Sequence, residues 1–211
     1  KAFEIVLPNE KINLIGSGRT DKGVHAYGQV VSLKIFQKID LNKLFKSING
    51  IMNNDIYIKK FQEVDENFNA RYSAKYRLYK YYIRKKYSPF KKNISWLLKS
   101  DINVNLLNDC AKALLGKHDF SMLSKNNIEI ENKQCVIYES VWEDSKNELI
   151  YTIKANRFLH HMVRFIVGAS IEVAQSKINQ SDFINLINNI SNISPFCAPS
   201  KGLFLHEVTY E

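Results

Sequence analysis

A chain of 211 residues with 45% hydrophobic and 24% charged residues can bury a full core, as one domain or as two small adjoining ones, and it carries a formal charge of +9. It holds no run of eighteen apolar residues and no apolar segment behind its basic start, so neither a membrane span nor a signal peptide is read, and a soluble, cytoplasmic protein is expected. Cys110, Cys135 and Cys197 form no CxxC pair, which argues against a disulfide framework and a zinc site and fits a reducing compartment.

Lys1 to Leu7 reads as the last turns of a helix stopped by Pro8-Asn9, and a chain that opens inside a helix implies that something precedes it. Ile12, Leu14 and Gly16 fall on one face of a short extended segment. Val31, Leu33 and Ile35 alternate with Ser32 and Lys34, the period of a half-buried strand. Between them runs Gly16-Ser17-Gly18-Arg19-Thr20-Asp21-Lys22-Gly23-Val24-His25-Ala26, one carboxylate among glycines and cations, which reads as a strand-to-strand loop. Its glycines permit close approach of a ligand to the main chain. The plainer alternative is a tight turn with Asp21 as its side-chain cap. A dinucleotide fingerprint is excluded, because the third glycine comes too late and a strand follows.

Further on, Asp40 caps a helix with Leu41, Leu44, Phe45, Ile48 and Met52 at helical spacing, and Ile56 to Val64 reads as a strand. A loop over Asn67 to Ala74 leads to a strand from Arg77 to Lys85. A second amphipathic helix, with Leu106, Leu107, Cys110, Ala113 and Leu114, ends at Gly116. Gln134 to Trp142 and Leu149 to Ala155 form a hairpin around Ser145-Lys146-Asn147. Helices over Phe158 to Ala174 and Ser181 to Ile190 precede a last strand, Leu203 to Tyr210. The pattern predicts an α+β fold, a mixed and mostly antiparallel sheet with flanking helices and two βαββ-like halves, divided as residues 1–100 and 101–211.

The charge is localised. Between Asn67 and Ser100 there is no Asp or Glu, while ten of the thirty Lys and Arg residues lie there, and the other twenty are matched by all 21 acids. Tyr72, Tyr76, Tyr79, Tyr81, Tyr82 and Tyr87 are interleaved with those cations. Charge for phosphates beside faces for unstacked bases is the composition of an RNA-binding surface. Equally, Tyr79, Tyr81 and Ile83 can be the core face of a strand.

Four segments carry a resemblance. Gly18 to Ala26, then Ala70-Arg71-Tyr72-Ser73-Ala74-Lys75 with Tyr79-Lys80-Tyr81, then Phe158-Leu159-His160-His161-Met162-Val163-Arg164, and finally Ala198 to Leu203 resemble, in order, the motifs of the TruA family of tRNA pseudouridine synthases. The resemblance implies the pseudouridine synthase fold and isomerisation of uridine to pseudouridine in the anticodon stem-loop, at tRNA positions 38–40. It implies Asp21 as the catalytic carboxylate and no metal or cofactor. It assigns to Arg164 the pairing of that carboxylate, to Tyr79 stacking on the target base, and to Arg19 the space the base vacates. With the basic segment, it nominates Lys22, Arg71, Lys75, Arg84, Lys85 and Lys86 as RNA contacts. The expected partners are tRNA and a second copy of the chain in a homodimer, with no membrane. The family's first strand and a Tyr-Asp-Gly motif precede the region present here. His25 reads as loop packing, and His160 and His161, being adjacent, cannot share a helix face as metal ligands do. A non-catalytic RNA-binding module with RRM-like halves is the rival reading; a metal-dependent nuclease would need clustered carboxylates, and the loop has one.

Overall fold

The computed structural model describes residues 1–126 and 131–211, which form two compact units. The first comprises residues 1–17 and 30–73 and the second residues 18–29 and 74–211, so the Asp21 loop belongs with the second.

In the first unit, α1 (Ala2–Val6) and α2 (Leu41–Ile51) pack through a small core of Leu7, Leu44 and Ile48. Asp40 caps α2 as its sequence predicts, accepting from the backbone N–H groups of Asn42 and Lys43 at 2.9 and 3.1 Å. The extended segments are shorter than their alternation suggests: β1 (Ile15–Gly16) pairs antiparallel with β3 (Val31–Ser32) over two residues each, and Ser17 N donates to the Val30 carbonyl at 2.8 Å. Ile56 to Val64 forms no strand. Asn49 satisfies part of that backbone instead, bonding both the N–H and the carbonyl of Ile58, while Ile56, Tyr57 and Val64 stay exposed. β-propensity without a partner edge is not enough to make a strand.

The second unit is a seven-stranded sheet with helices. The strands run in the order β2 (His25–Ala26), β9 (Leu203–Thr209), β4 (Tyr76–Arg84), β8 (Glu148–Ala155), β7 (Gln134–Asp144), β6 (Gly116–Asp119), with β5 (Trp96–Leu97) also on β4. β2 on β9 and β5 on β4 are parallel; the four other pairings are antiparallel, as expected for a mostly antiparallel sheet. The β7–β8 hairpin forms around the predicted turn, closed by Ser145 N to Glu148 O at 2.8 Å. Gly116 does not merely end a helix: with φ of +95° it turns the chain after α3 (Val104–Ala113) directly into β6.

Tyr81, Ile83, Tyr151 and Ile153 project from one face of the sheet into a core shared with α3, α4 (Met162–Ala174) and α5 (Gln180–Ile187). α5 starts in a capping box, with Asn179 N donating to Asp182 Oδ2 at 2.8 Å. α4 is buried on nearly every side, and this follows from its composition: beyond Arg164 and Glu172 it carries only apolar and small residues. It begins four residues later than its apolar spacing suggests. His161 sits at φ +62°, in the left-handed region, so the chain turns there before the helix starts.

Candidate active site

The Asp21 loop is shaped by one glycine. Val24 N–H donates to the Asp21 carbonyl at 3.0 Å and Gly23 takes φ of +83°, the positive third position of a type II turn. A Cβ on Gly23 would also lie 2.8 Å from Ser200 Oγ, whereas one on Gly18 would meet nothing within 4 Å. The chain then enters β2, which the sequence reading missed because it is two residues long. Register with Phe204 and Leu205 of β9, and Tyr27 N to Leu205 O at 2.8 Å, tie the loop to the sheet.

Thus anchored, Asp21 points its carboxylate at the start of α4. Arg164 Nη1 donates to Asp21 Oδ2 at 2.9 Å, and both side chains are largely covered, at 15% and 18% exposure. The Arg164 Nε donates to the Ala198 carbonyl at 2.7 Å, while Ala198 N returns a bond to the Arg164 carbonyl at 3.0 Å. This clamp needs Gly168, because a Cβ there would stand 1.7 Å from the Phe196 carbonyl oxygen and push the 196–198 strand of chain off the helix. Asp21 therefore ends in an ion pair, not as the cap of its own turn.

His160 and His161 complete the cluster. Their Nε2 atoms approach Asp21 Oδ1 and Oδ2 at 3.3 and 3.2 Å. Burial pushes the His161 imidazole below its ordinary pKa; Asp21 pulls it back up, and the nearby His160, Arg164 and Lys125 add to the lowering. The sequence reading dismissed these residues because neighbours on a helix diverge. They converge here because His161 lies outside the helix, and their place in the string that carries Arg164 was the available signal. The three donor atoms lie within 4.8 Å of one another, a set able to hold a metal ion, but the Arg164 guanidinium on the same carboxylate opposes one by charge.

Tyr79 is half-buried with its ring edge-on to Phe158 at 5.0 Å between centroids. Burial raises its pKa to about 12; Arg77 works against the shift and Asp21 adds to it, so at neutral pH it is a phenol beside the carboxylate. Tyr81, which the sequence left open between stacking and core, is core: it is fully buried and its hydroxyl donates to the Pro199 carbonyl at 2.7 Å. His25 packs as expected, with Nε2 2.9 Å from the Asn93 carbonyl and its ring on Phe204.

A tRNA pseudouridine synthase family model matches residues 110–211. The chain is 40% identical over 215 residues to tRNA pseudouridine synthase A of Dictyoglomus thermophilum, covering 97% of this chain and 85% of the relative. It is 34% identical over 202 residues to the protein of the same name from Chlorobium limicola, covering 95% and 83%. The chain belongs to the tRNA pseudouridine synthase A family. The α+β fold with its mostly antiparallel sheet is the one expected of that family.

The residues nominated for RNA contact divide within this family scaffold. Arg19, Lys22, Arg71, Lys75 and Lys86 are exposed. Lys85 pairs with Asp144. Arg84 is not on a solvated face at all: at 4% exposure it donates from Nη1 to the Ser88 carbonyl and lies 5.6 Å from the Tyr87 ring. The cause is position, since β4 runs on past its last pairing with β9 and Arg84 is flanked there by Leu97 and Glu148. No helix among the described residues is long and apolar enough to cross a membrane.

Proposed function

We propose that this chain isomerises uridine to pseudouridine in the anticodon stem-loop of tRNA, with Asp21 as its catalytic carboxylate and no cofactor. The family relationship supports the reaction and the class of RNA. One observation carries the assignment of Asp21: its carboxylate, on a loop fixed by β2, is paired at 2.9 Å with an arginine that is itself held to the main chain.

The reaction breaks the bond between N1 and C1′, turns the detached uracil, and joins C5 to C1′. The C5 hydrogen leaves as a proton and N1 gains one, so the formula is unchanged and neither oxidant nor water enters. The carboxylate acts on the nucleotide as a nucleophile, for which it must be ionised; a guanidinium within hydrogen-bonding distance favours that state and fixes the oxygen it binds. With Oδ2 held by Arg164 and faced by His161, Oδ1 faces the half-exposed His160 and is the oxygen assigned to the substrate. Excluding water keeps the free uracil from being lost.

The target uridine must leave its helix at a cost of about a few kcal/mol. Stacking on the Tyr79 ring returns roughly 1 to 3 kcal/mol. With its hydroxyl protonated in the free protein, Tyr79 offers the base a face and a donor. Arg19 enters the space the base vacates, and Lys22, Arg71, Lys75 and Lys86 hold phosphates. A homodimer acting in the cytoplasm completes the reading.

The test is chemical mapping of pseudouridine in unmodified tRNA incubated with the protein and with Asp21→Ala. New pseudouridine in the anticodon arm with the former and none with the latter is expected, at nearly equal tRNA affinity. Wild-type turnover by Asp21→Ala would sink the assignment.

A further inference from the structure

The end of β4 forms a charged corner with the β7–β8 hairpin. Arg84, the last residue of β4, stands opposite Glu148, the first residue of β8. The chain beyond it is tied to the hairpin turn, because Lys85 N donates to the Asn147 carbonyl at 2.9 Å and Lys91 pairs with Glu148. Arg84, Lys86, Ser88, Lys91 and Asn147 line a pocket of about 260 Å³ there, just under the size of a small-molecule site.

The charges of this corner do not balance. Asp144 is taken by Lys85 and Glu148 by Lys91, while neither Arg84 nor Lys86 is in an ion pair among the described residues. Lys86 is exposed, so water can satisfy it. Arg84 is 4% exposed: its Nη1 meets only the Ser88 carbonyl, and its Nε is buried with no hydrogen-bond partner. Buried cations are paired as a rule, since a carbonyl dipole does not replace the hydration that a full charge loses. The Ser88 hydroxyl and the Asn147 amide, also in the lining, have no hydrogen-bond partner among the described residues.

We propose that this pocket is a phosphate site, in which the Arg84 guanidinium supplies the buried charge and Lys86, Ser88 and Asn147 supply further donors. The ligand is an anion because two cations of the lining lack counter-charges. It is a phosphate because a planar guanidinium and several donors around it suit an ion with several acceptor oxygens. Two sources share that chemistry, a backbone phosphate of the tRNA and a free phosphate ion. The first rests on tRNA being the substrate; the site itself does not, and nothing in the Asp21 chemistry requires it. With Nη1 already tied to Ser88 and the Tyr87 ring 5.6 Å from the guanidinium carbon, Arg84 is held in place before a ligand arrives.

The experiment uses the whole chain, inorganic phosphate and unmodified tRNA. In nitrogen-15-labelled protein the Arg84 Nε–H signal, identified by its absence from Arg84→Lys, is followed while phosphate replaces chloride at constant ionic strength. It is expected to shift to saturation, with binding about 2- to 5-fold weaker in Lys86→Gln, an exposed position whose change leaves the core intact. Phosphate also raises melting temperatures generally, by exclusion from protein surfaces, so Arg84→Lys is read as a difference. It should gain less melting temperature from phosphate than the wild type, because one ammonium does not replace the guanidinium fork. If tRNA moves the same signal and weakens phosphate binding, the pocket takes a backbone phosphate; if phosphate binds as tightly with tRNA present, it takes the free ion. A signal that neither probe moves would overturn the site, as would an equal gain from phosphate in the wild type and Arg84→Lys. Absence of pseudouridine with the wild-type protein would instead count against the proposed reaction and leave the phosphate titration readable.

Discussion

Asp21 and Arg164 are 143 residues apart in the chain and 2.9 Å apart between Oδ2 and Nη1. Their meeting depends on two separate anchors. Gly23 and β2 hold the aspartate to the sheet edge, and the exchange of hydrogen bonds with Ala198 holds the arginine to the chain that leads into β9. Both anchors lead to β9, so the pair is registered by a strand that contributes neither residue.

Arg164→Lys separates charge from geometry. A lysine keeps the positive charge but has one nitrogen in place of the guanidinium fork, so it cannot hold Ala198 and Asp21 at once. The expected result is a fall in single-turnover rate on the order of 10²-fold, the cost of a small misplacement at a reacting centre, with tRNA affinity little changed. A rate within twofold of wild type in a rapid-quench assay would show that charge alone suffices.

Gly168→Ala tests the other side of the clamp. The new methyl would fall 1.7 Å from the Phe196 carbonyl oxygen, a main-chain atom that cannot rotate away. Overpacking of this kind costs roughly 1 to 3 kcal/mol, so thermal melting should drop by roughly 2 to 12 °C, with a loss of turnover as Ala198 leaves Arg164. Gly18→Ala, whose methyl meets nothing within 4 Å, is the matched control and should melt near wild type.

What the sequence made legible follows from how local each signal is. Caps such as Asp40 and the Ser145-Lys146-Asn147 turn depend on neighbours in the chain and appear where their residues place them, and the apolar run of α4 gives the helix and its end but not its start. β2, β5 and β6 are two to four residues long and exist only because β9, β4 and β7 offer edges, which no local pattern announces. Asp21 and Arg164 were nominated through motif resemblance, and the structure pairs them. His160 and His161 were missed because their convergence depends on a single left-handed residue at the start of α4. The burial of Arg84 was not legible because charge alone does not tell whether a residue at a strand end is sheltered by its neighbours.

Arg84 and Lys86 should therefore behave differently although they are near neighbours. Arg84 is buried against the Ser88 carbonyl and the Tyr87 ring, so Arg84→Ala removes packing as well as charge and should destabilise by about 2 kcal/mol, lowering the melting temperature by about 4 to 8 °C. Lys86 is exposed, so Lys86→Ala should leave melting unchanged and reduce the slope of log affinity against log salt by about one unit. Calorimetry and tRNA binding at two salt concentrations distinguish the two. Equal effects on salt slope with no loss of stability in Arg84→Ala would return Arg84 to the solvated face.

His161 gives the protein a signed dependence on pH. Burial lowers its pKa in the folded state below the value of 6.5 that it has when the chain unfolds. Between those two values the unfolded chain binds more protons than the folded one, so stability rises with pH through this window and is lost as pH falls from 6.5 toward the folded value. The reason is local: a proton on His161 would favour Asp21 but would sit, partly desolvated, beside His160, Arg164 and Lys125. His161→Gln removes the titration and keeps an N–H near the carboxylate. The wild-type protein should lose more melting temperature than His161→Gln between pH 7.5 and pH 5.5, and the two curves should run parallel above pH 7.5. A variant that falls as steeply as the wild type would place the acid sensitivity on another group.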